Sequence, residues 1–294
     1  MKKKTSFNYF LFFFIIILIL VLANFLYTMY KKYKIFKKNN SLLICIPFHY
    51  SNDRWQYLEQ ILHNFINTYS VKIHIIIDTN DRKTVQLIHN TFKKEYNKII
   101  EVIVHTYLDH PFDLTWKHRQ HFLDNIDNYM YCMYVEDDIN IPFNNYKNYI
   151  NNFDILWPDY APTFIRYEVQ ADGKYSSEHS NVTEISKDNI IIKGGKKFIE
   201  LNVTYSACWI MPMDILKTTI IEQYHIKKIP FDHGSYRETG ASYTTWQLNK
   251  KGLVELNDDN TISDYVFIHH IPSDYSDITK NNNRLLLKNL LKIV

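Results

Sequence analysis

Residues 129–141 read Tyr-Met-Tyr-Cys-Met-Tyr-Val-Glu-Asp-Asp-Ile-Asn-Ile. The stretch begins as an apolar, aromatic-rich run, the composition of a buried strand. It stops at three carboxylates, Glu136, Asp137 and Asp138. Three adjacent negative charges at the edge of a core repel one another and lose hydration. A divalent cation relieves both problems. Hard ions such as Mg2+ or Mn2+ take carboxylate oxygens and leave positions open for phosphate oxygens. The plain alternative is a strand running into a solvated acidic turn, and so short a motif does not choose between the two.

Upstream of this stretch, strands and helices alternate. Residues 42–47 form an apolar strand, and Ser51 or Asn52 caps a helix whose apolar face is Trp55, Leu58, Leu62, Phe65 and Tyr69. Strands at 71–78, 99–107 and 129–135 are separated by helices at 82–96 and 115–126, with a turn at Asn80-Asp81. Such alternation with short joints predicts an α/β layer with a mostly parallel sheet. Ligands of such sheets bind beyond the carboxyl ends of the strands, where Asp78 and residues 136–138 face one crevice. No GxGxxG or Walker A sequence occurs among the six glycines, so a metal ion is the expected substitute for a phosphate-cradling loop.

Downstream the alternation is irregular. Helices are expected at 146–155, 214–223 and 237–249, and strands at 163–169 and 265–269. Residues 189–192 and 198–203 pair around Gly194-Gly195, and 172–187 form a polar loop. An apolar run at 207–211 leads into the 214–223 helix, and a basic, Leu-rich amphipathic helix occupies the tail from Lys280.

Charge is segregated along the 294 residues. The net +3 hides eight lysines and no acidic residue in 1–40; beyond them 26 basic residues face 31 acidic ones, a net of −5. The folded part therefore lacks the basic field of a nucleic-acid binder. Cys45, Cys132 and Cys208 lie in strand-like apolar runs without zinc spacing and read as buried free thiols. Residues 10–27 are apolar apart from Asn24. That run is longer than a signal-peptide core and no small-x-small site ends it, so it reads as an uncleaved membrane anchor. Five lysines between 31 and 38 would, by the positive-inside rule, keep the following domain in the cytoplasm. Sequons at Asn39, Asn181 and Asn202 have meaning only in a lumen, so orientation stays open.

Taken together, these features resemble the GT-A class of nucleotide-sugar glycosyltransferases. The strand–helix half followed by an acidic "DXD" signature, here Glu136-Asp137-Asp138, carries the resemblance over roughly residues 42–272. It implies a Rossmann-like GT-A fold with a mostly parallel central sheet, preceded by an N-terminal transmembrane helix. The implied layout is a basic tail (1–9), an anchor (10–30), a basic stem (31–41) and a catalytic domain (42–294), split into a nucleotide-binding half (42–141) and an acceptor half (142–294). It implies a sugar nucleotide as donor, Mn2+ or Mg2+ as cofactor, and a glycan, protein or lipid acceptor. The location it implies is the Golgi or ER membrane, with the domain in the lumen.

By the same resemblance, Asp138 ligates the metal and a C-terminal histidine, His270 rather than His269, joins it. Glu136 contacts ribose or a metal-bound water, Asp137 belongs to the same cofactor-binding set, and Asp78 contacts base or ribose. Lys117 and Arg119, with His118 between them, meet the nucleotide, and Glu238 is placed like the catalytic carboxylate. Each has a structural counterpart: a turn Asp, a solvated helix face, an ordinary first-turn Glu, surface histidines. Arg166 in an apolar strand needs a partner such as Glu168 or a phosphate, and Trp209 reads as core or sugar-stacking wall. Two other classes stay open: a membrane-tethered binding protein with a degenerate fold, and another Mg2+-dependent phosphate transferase, such as a nucleotidyltransferase.

Overall fold

The computed structural model describes residues 15–27, 29, 41–176, 190–201, 204–223, 236–244 and 248–272. The chain divides into two units, Met1–Ser41 and Leu42–Val294.

In the first unit, residues 15–27 are helical. Among the described residues no helix is long and apolar enough to cross a membrane. The rest of the expected span, the stem, the three sequon asparagines and the tail from Lys280 lie outside the described residues.

The second unit is built on a five-stranded sheet ordered β11-β4-β1-β2-β3. Its strands are β1 (Ser41–Phe48), β2 (Lys72–Thr79), β3 (Ile100–Val104), β4 (Tyr131–Val135) and β11 (Cys208–Pro212). β1 runs parallel to β4 and β2 to β3, while β11 closes the edge antiparallel to β4. Every residue of β1 is buried, as expected of a strand covered on both faces, and its sequence is accordingly a continuous apolar run. Helix α1 (Asn52–Thr68) buries Leu58, Ile61, Leu62 and Phe65, one stripe at helical spacing. Its N-cap is Ser51, whose hydroxyl accepts from the Arg54 amide at 3.2 Å. Helices α2 (Arg82–Thr91) and α3 (Leu114–Asp124) complete this half. α2 stops about a turn earlier than its pattern suggests, because the chain breaks into turns after Phe92.

After β4 the chain builds two further sheets that the sequence pattern does not announce. One is ordered β5-β13-β7-β8, from β5 (Ile139–Asn140), β7 (Ile165–Gln170), β8 (Gly173–Ser176) and β13 (Phe267–His270). The other is ordered β6-β12-β10-β9, from β6 (Tyr160–Pro162), β9 (Ile190–Lys193), β10 (Lys196–Glu200) and β12 (Lys251–Leu256). Gly194 and Gly195, with φ of 57° and 76°, make the β9–β10 turn where side-chained residues would be strained. Ile165 and Phe267 of the first sheet share one apolar cluster with Ile199, Val254 and Leu256 of the second. Helix α4 (Phe143–Leu156) adds Leu156 to a small cluster with Phe198 and Leu253.

Helix α5 (Met213–Gln223) follows β11. Among the described residues of the helix expected over 237–249, residues 243–244 are π-helical and α6 covers Tyr236–Ala241. Gly240 lies in its last turn against α3, and Gly breaks helical runs readily. Cys45, Cys132 and Cys208 are free and buried. Trp209 is a core residue, 2% exposed, with its ring against those of His118, Phe122 and Tyr243.

Candidate donor site at the end of the fourth strand

The acidic motif leaves β4 between the central sheet and the β5–β13 pair. Ala207, in the left-handed region with φ of 56°, accepts the Glu136 amide at 3.0 Å. On the far side, the Asp138 carbonyl accepts from the Ile271 amide at 2.9 Å. In the β5–β13 register His270 lies opposite Ile139, and in the β13–β7 register His269 lies opposite Tyr167. These pairings carry His270 to Asp138 and Glu168. Its Nδ1 is 2.7 Å from Glu168 Oε1, and its Nε2 is 3.7 Å from Asp138 Oδ2. Strand alternation sends His269 to the other face, stacked on Tyr167 at 5.1 Å.

The carboxylates are held by cations and a phenol. Arg54 donates from Nε to Asp137 Oδ2 at 2.9 Å and from Nη2 to Asp138 Oδ2 at 3.0 Å, and Nη2 also meets Asp137 Oδ1. Tyr205 donates to Glu136 Oε1 at 2.7 Å. The Arg166 guanidinium sits over the Tyr205 ring at 5.1 Å. Asp138 Oδ1 is buried and has no hydrogen-bond partner.

Electrostatics follow from burial working against these partners. Burial raises Asp138, but His270, Arg54 and Arg166 more than offset it and hold the carboxyl down at about 2. Burial and Asp138 push Asp137 up to about 7 against the pull of Arg54. Burial and Asp138 also raise Glu136. Burial would lower His270, yet Asp138 and Glu168 raise it. Arg54 is raised by Asp137 and Asp138 despite partial burial, so the ion pair is charged on the arginine side at every working pH.

The motif opens on a cleft of about 230 Å3 lined by Pro47, His49, Arg54, Phe112, Thr115, Glu136, Asp137 and Arg237, among others. It combines apolar walls with two guanidiniums, and Leu114 and Thr115 bring the N-terminus of α3, a region that favours anions. Two guanidiniums and a helix N-terminus suit an anionic ligand.

The structure thus brings Glu136, Asp137, Asp138 and His270 together. Glu238 lies beside the cleft through its neighbour, since Arg237 Nη2 is 3.0 Å from Glu238 Oε1. Of the expected residues only Glu136 and Asp137 line this cleft; Asp138, His270, Glu238, Asp78, Lys117 and Arg119 do not. Asp78 is 1% exposed, and its Oδ1 is shared by His105 Nε2 at 2.7 Å and His121 Nε2 at 2.9 Å. Arg119 is buried beneath α6, donating to the carbonyls of Thr239 and Gly240 at 3.2 and 3.3 Å, with its guanidinium 4.2 Å from the Trp116 ring. Burial lowers it to about 9, so it fastens two helices together. Lys117 is half-buried on α3. Arg54, His49, Arg237 and Tyr205 escape a reading of the sequence. A cation in a first helical turn looks like a solvated face, and nothing local says that Arg54 meets a motif more than 80 residues away.

The residues fit a divalent cation in one particular way. Asp138 Oδ1 has an unused lone pair in a buried position, and His270 faces the same carboxylate. His270 is oriented through its other nitrogen by Glu168, an arrangement common behind metal-binding histidines. Yet no group of three or more His, Cys, Asp or Glu side chains among the described residues is arranged to hold an ion. Among the described residues two ligands at most are therefore at hand, which suits an ion completed by phosphate oxygens and water.

The sequence matches no family model and no curated protein. Its structure is similar to that of GalNAc-T7 solved with UDP, GalNAc and Mn2+, with a TM-score of 0.50 and 11% identity over 79% of this chain and 44% of that one. The fold resembles that of GT-A glycosyltransferases. The chain spans less than half the length of GalNAc-T7. It also aligns with S. aureus TarS residues 1–349, with a TM-score of 0.44 and 10% identity over 79% of this chain and 60% of that one. For 4-diphosphocytidyl-2C-methyl-D-erythritol synthase from Anaerococcus prevotii the TM-score is 0.39, with 11% identity over 86% and 94%.

Proposed function

We propose that the protein is a metal-dependent glycosyltransferase that moves a sugar from a nucleoside-diphosphate sugar to an acceptor hydroxyl. The observation that carries this reading is the buried acidic motif at the end of β4, with an unused Asp138 oxygen, opening on a cleft that holds two arginines. A GT-A-like fold supports it. In this reading Asp138 and His270 hold the metal, and Glu136 and Asp137 face ribose or water at the cleft floor. Bound together with the diphosphate, a divalent ion supplies positive charge at the leaving group. Arg237 and the N-terminus of α3 hold and orient the phosphates. Pro47 and Phe112 exclude water along the walls. For transfer with inversion, Glu238 accepts the proton of the acceptor hydroxyl.

The proposal includes an anchor over residues 10–30 in the Golgi or ER membrane, a luminal domain, and a glycan, protein or lipid as acceptor. The helix over 15–27 supports the anchor, being apolar and exposed all round, with Ile17 58% and Leu20 63% exposed. Resistance to carbonate extraction, and a mass loss on endoglycosidase treatment, are the expected signs; release by carbonate would remove the anchor from the proposal.

The test of the activity is thermal melting with Mn2+ across a panel of nucleoside diphosphates and their sugars. Stabilisation is expected to need both the metal and one base, and to vanish in Asp138→Ala. A folded protein that responds to no nucleotide would overturn the transferase reading in favour of a non-catalytic binding protein.

A further inference from the structure

Arg54 occupies the place where a metal ion would be expected to act. Its guanidinium bridges Asp137 and Asp138 through three contacts, and it takes Asp138 Oδ2 while Oδ1 of the same carboxylate stays empty. It does so against local preference, because a cation in the first turn of a helix faces the positive end of the helix dipole. A residue that breaks a local rule in a site usually serves the site. Arg54 is also not locked in: its side chain is 38% exposed, and it lines the same cleft as Arg237. A guanidinium matches a carboxylate pair and a diphosphate equally well, since both accept paired N–H bonds.

We infer that Arg54 is a donor-binding residue that alternates between two partners: the Asp137–Asp138 pair in the empty protein, and the diphosphate of the bound nucleotide. The inference rests on the transferase reading and adds an order to it. A divalent cation approaching the motif alone has to compete with Arg54 for Asp138. A cation arriving with a diphosphate does not, because the phosphates offer the displaced guanidinium a new partner. Metal and nucleotide therefore bind with positive coupling, and Arg54 carries that coupling. Linkage makes the effect reciprocal: Mn2+ tightens the nucleotide by the same factor by which the nucleotide tightens Mn2+.

The experiment measures free Mn2+ by its six-line electron paramagnetic resonance signal. Titrations use the full chain with and without the nucleoside diphosphate that best stabilises it. For wild type, Mn2+ alone is expected to bind weakly, and the nucleotide to tighten it at least tenfold. In Arg54→Met, which keeps the bulk and removes the charge, Mn2+ alone should bind at least tenfold tighter than in wild type. The nucleotide should then add less than threefold. Arg54→Lys, with one ammonium for three contacts, should fall between, and it tests the same ordering if the Met variant melts early. Wild-type Mn2+ affinity in a folded Arg54→Met, with the coupling intact, would sink the inference. If wild type binds no nucleoside diphosphate while Arg54→Met still gains Mn2+ affinity, the transferase reading and the diphosphate half of the inference fall. The competition at Asp138 would then stand alone.

Discussion

Gly240 is the point at which α6, the carrier of Arg237 and Glu238, touches α3. A Cβ added there would lie 2.6 Å from Thr115 Oγ1 and 2.8 Å from Trp116 Nε1. Neither neighbour can step aside cheaply. The Thr115 hydroxyl donates to the Phe112 carbonyl at 2.7 Å. Trp116 is 4% exposed, has the Arg119 guanidinium 4.2 Å away and lies 5.3 Å from the Tyr236 ring. In Gly240→Ala, then, α6 has to move outward. Overpacking of this kind costs about 1–3 kcal/mol, and exchanging Gly for Ala in a helix returns about 1 kcal/mol. The net loss is up to about 2 kcal/mol, which for a domain of this size lowers Tm by up to about 4–8 °C. Melting followed by circular dichroism measures it directly. The shift of α6 also moves Arg237 at the cleft wall, so nucleotide stabilisation should shrink in the same variant. A Tm above that of wild type would refute the packing argument, since it would mean that α6 has room against α3.

Three other outcomes are expected. Burial lowers His121, but Asp78 raises it above its ordinary value, so its contribution is full below about pH 6.5 and fades as pH rises through the folded value. Tm should fall between pH 6 and pH 8, and His121→Asn should flatten that fall; equal slopes would clear His121 of the effect. Burial raises Cys45 and Cys132 and pushes Cys208 up to about 12. No thiol should therefore react with Ellman's reagent in native protein, and all three should react in guanidinium chloride; fast native labelling would contradict their placement in the core. If Glu238 is the proton acceptor, Glu238→Gln should lower kcat by about a hundred- to ten-thousand-fold with little change in donor KM, and an unchanged kcat would remove it from that role.

The first half of the folded unit is legible in the sequence because its signals are local. β1 is an unbroken apolar run, and Ser51 caps α1. The second half is harder to read. β5 and β6 are two and three residues long, and β12 owes its place to neighbours such as β10 and β6. Within the site, Glu136 to Asp138 stand out as a charge cluster ending an apolar strand. Arg54 does not, because its meaning depends on a fold that closes over 80 residues. Arg119 shows the converse: a cation in a helix reads as a solvent-facing group, yet the tertiary structure buries it under the carbonyls of α6.

The β5–β13 pairing also has a consequence for how the protein is made. Asp138 emerges from the ribosome roughly 130 residues before His270, an interval of roughly ten seconds at about 5–20 residues per second. Throughout that interval the acidic motif exists while its histidine is still unsynthesised. Arg54 is already there, more than 80 residues upstream of Asp137. It can neutralise the exposed carboxylates and keep stray ions from an unfinished site until the last strand arrives.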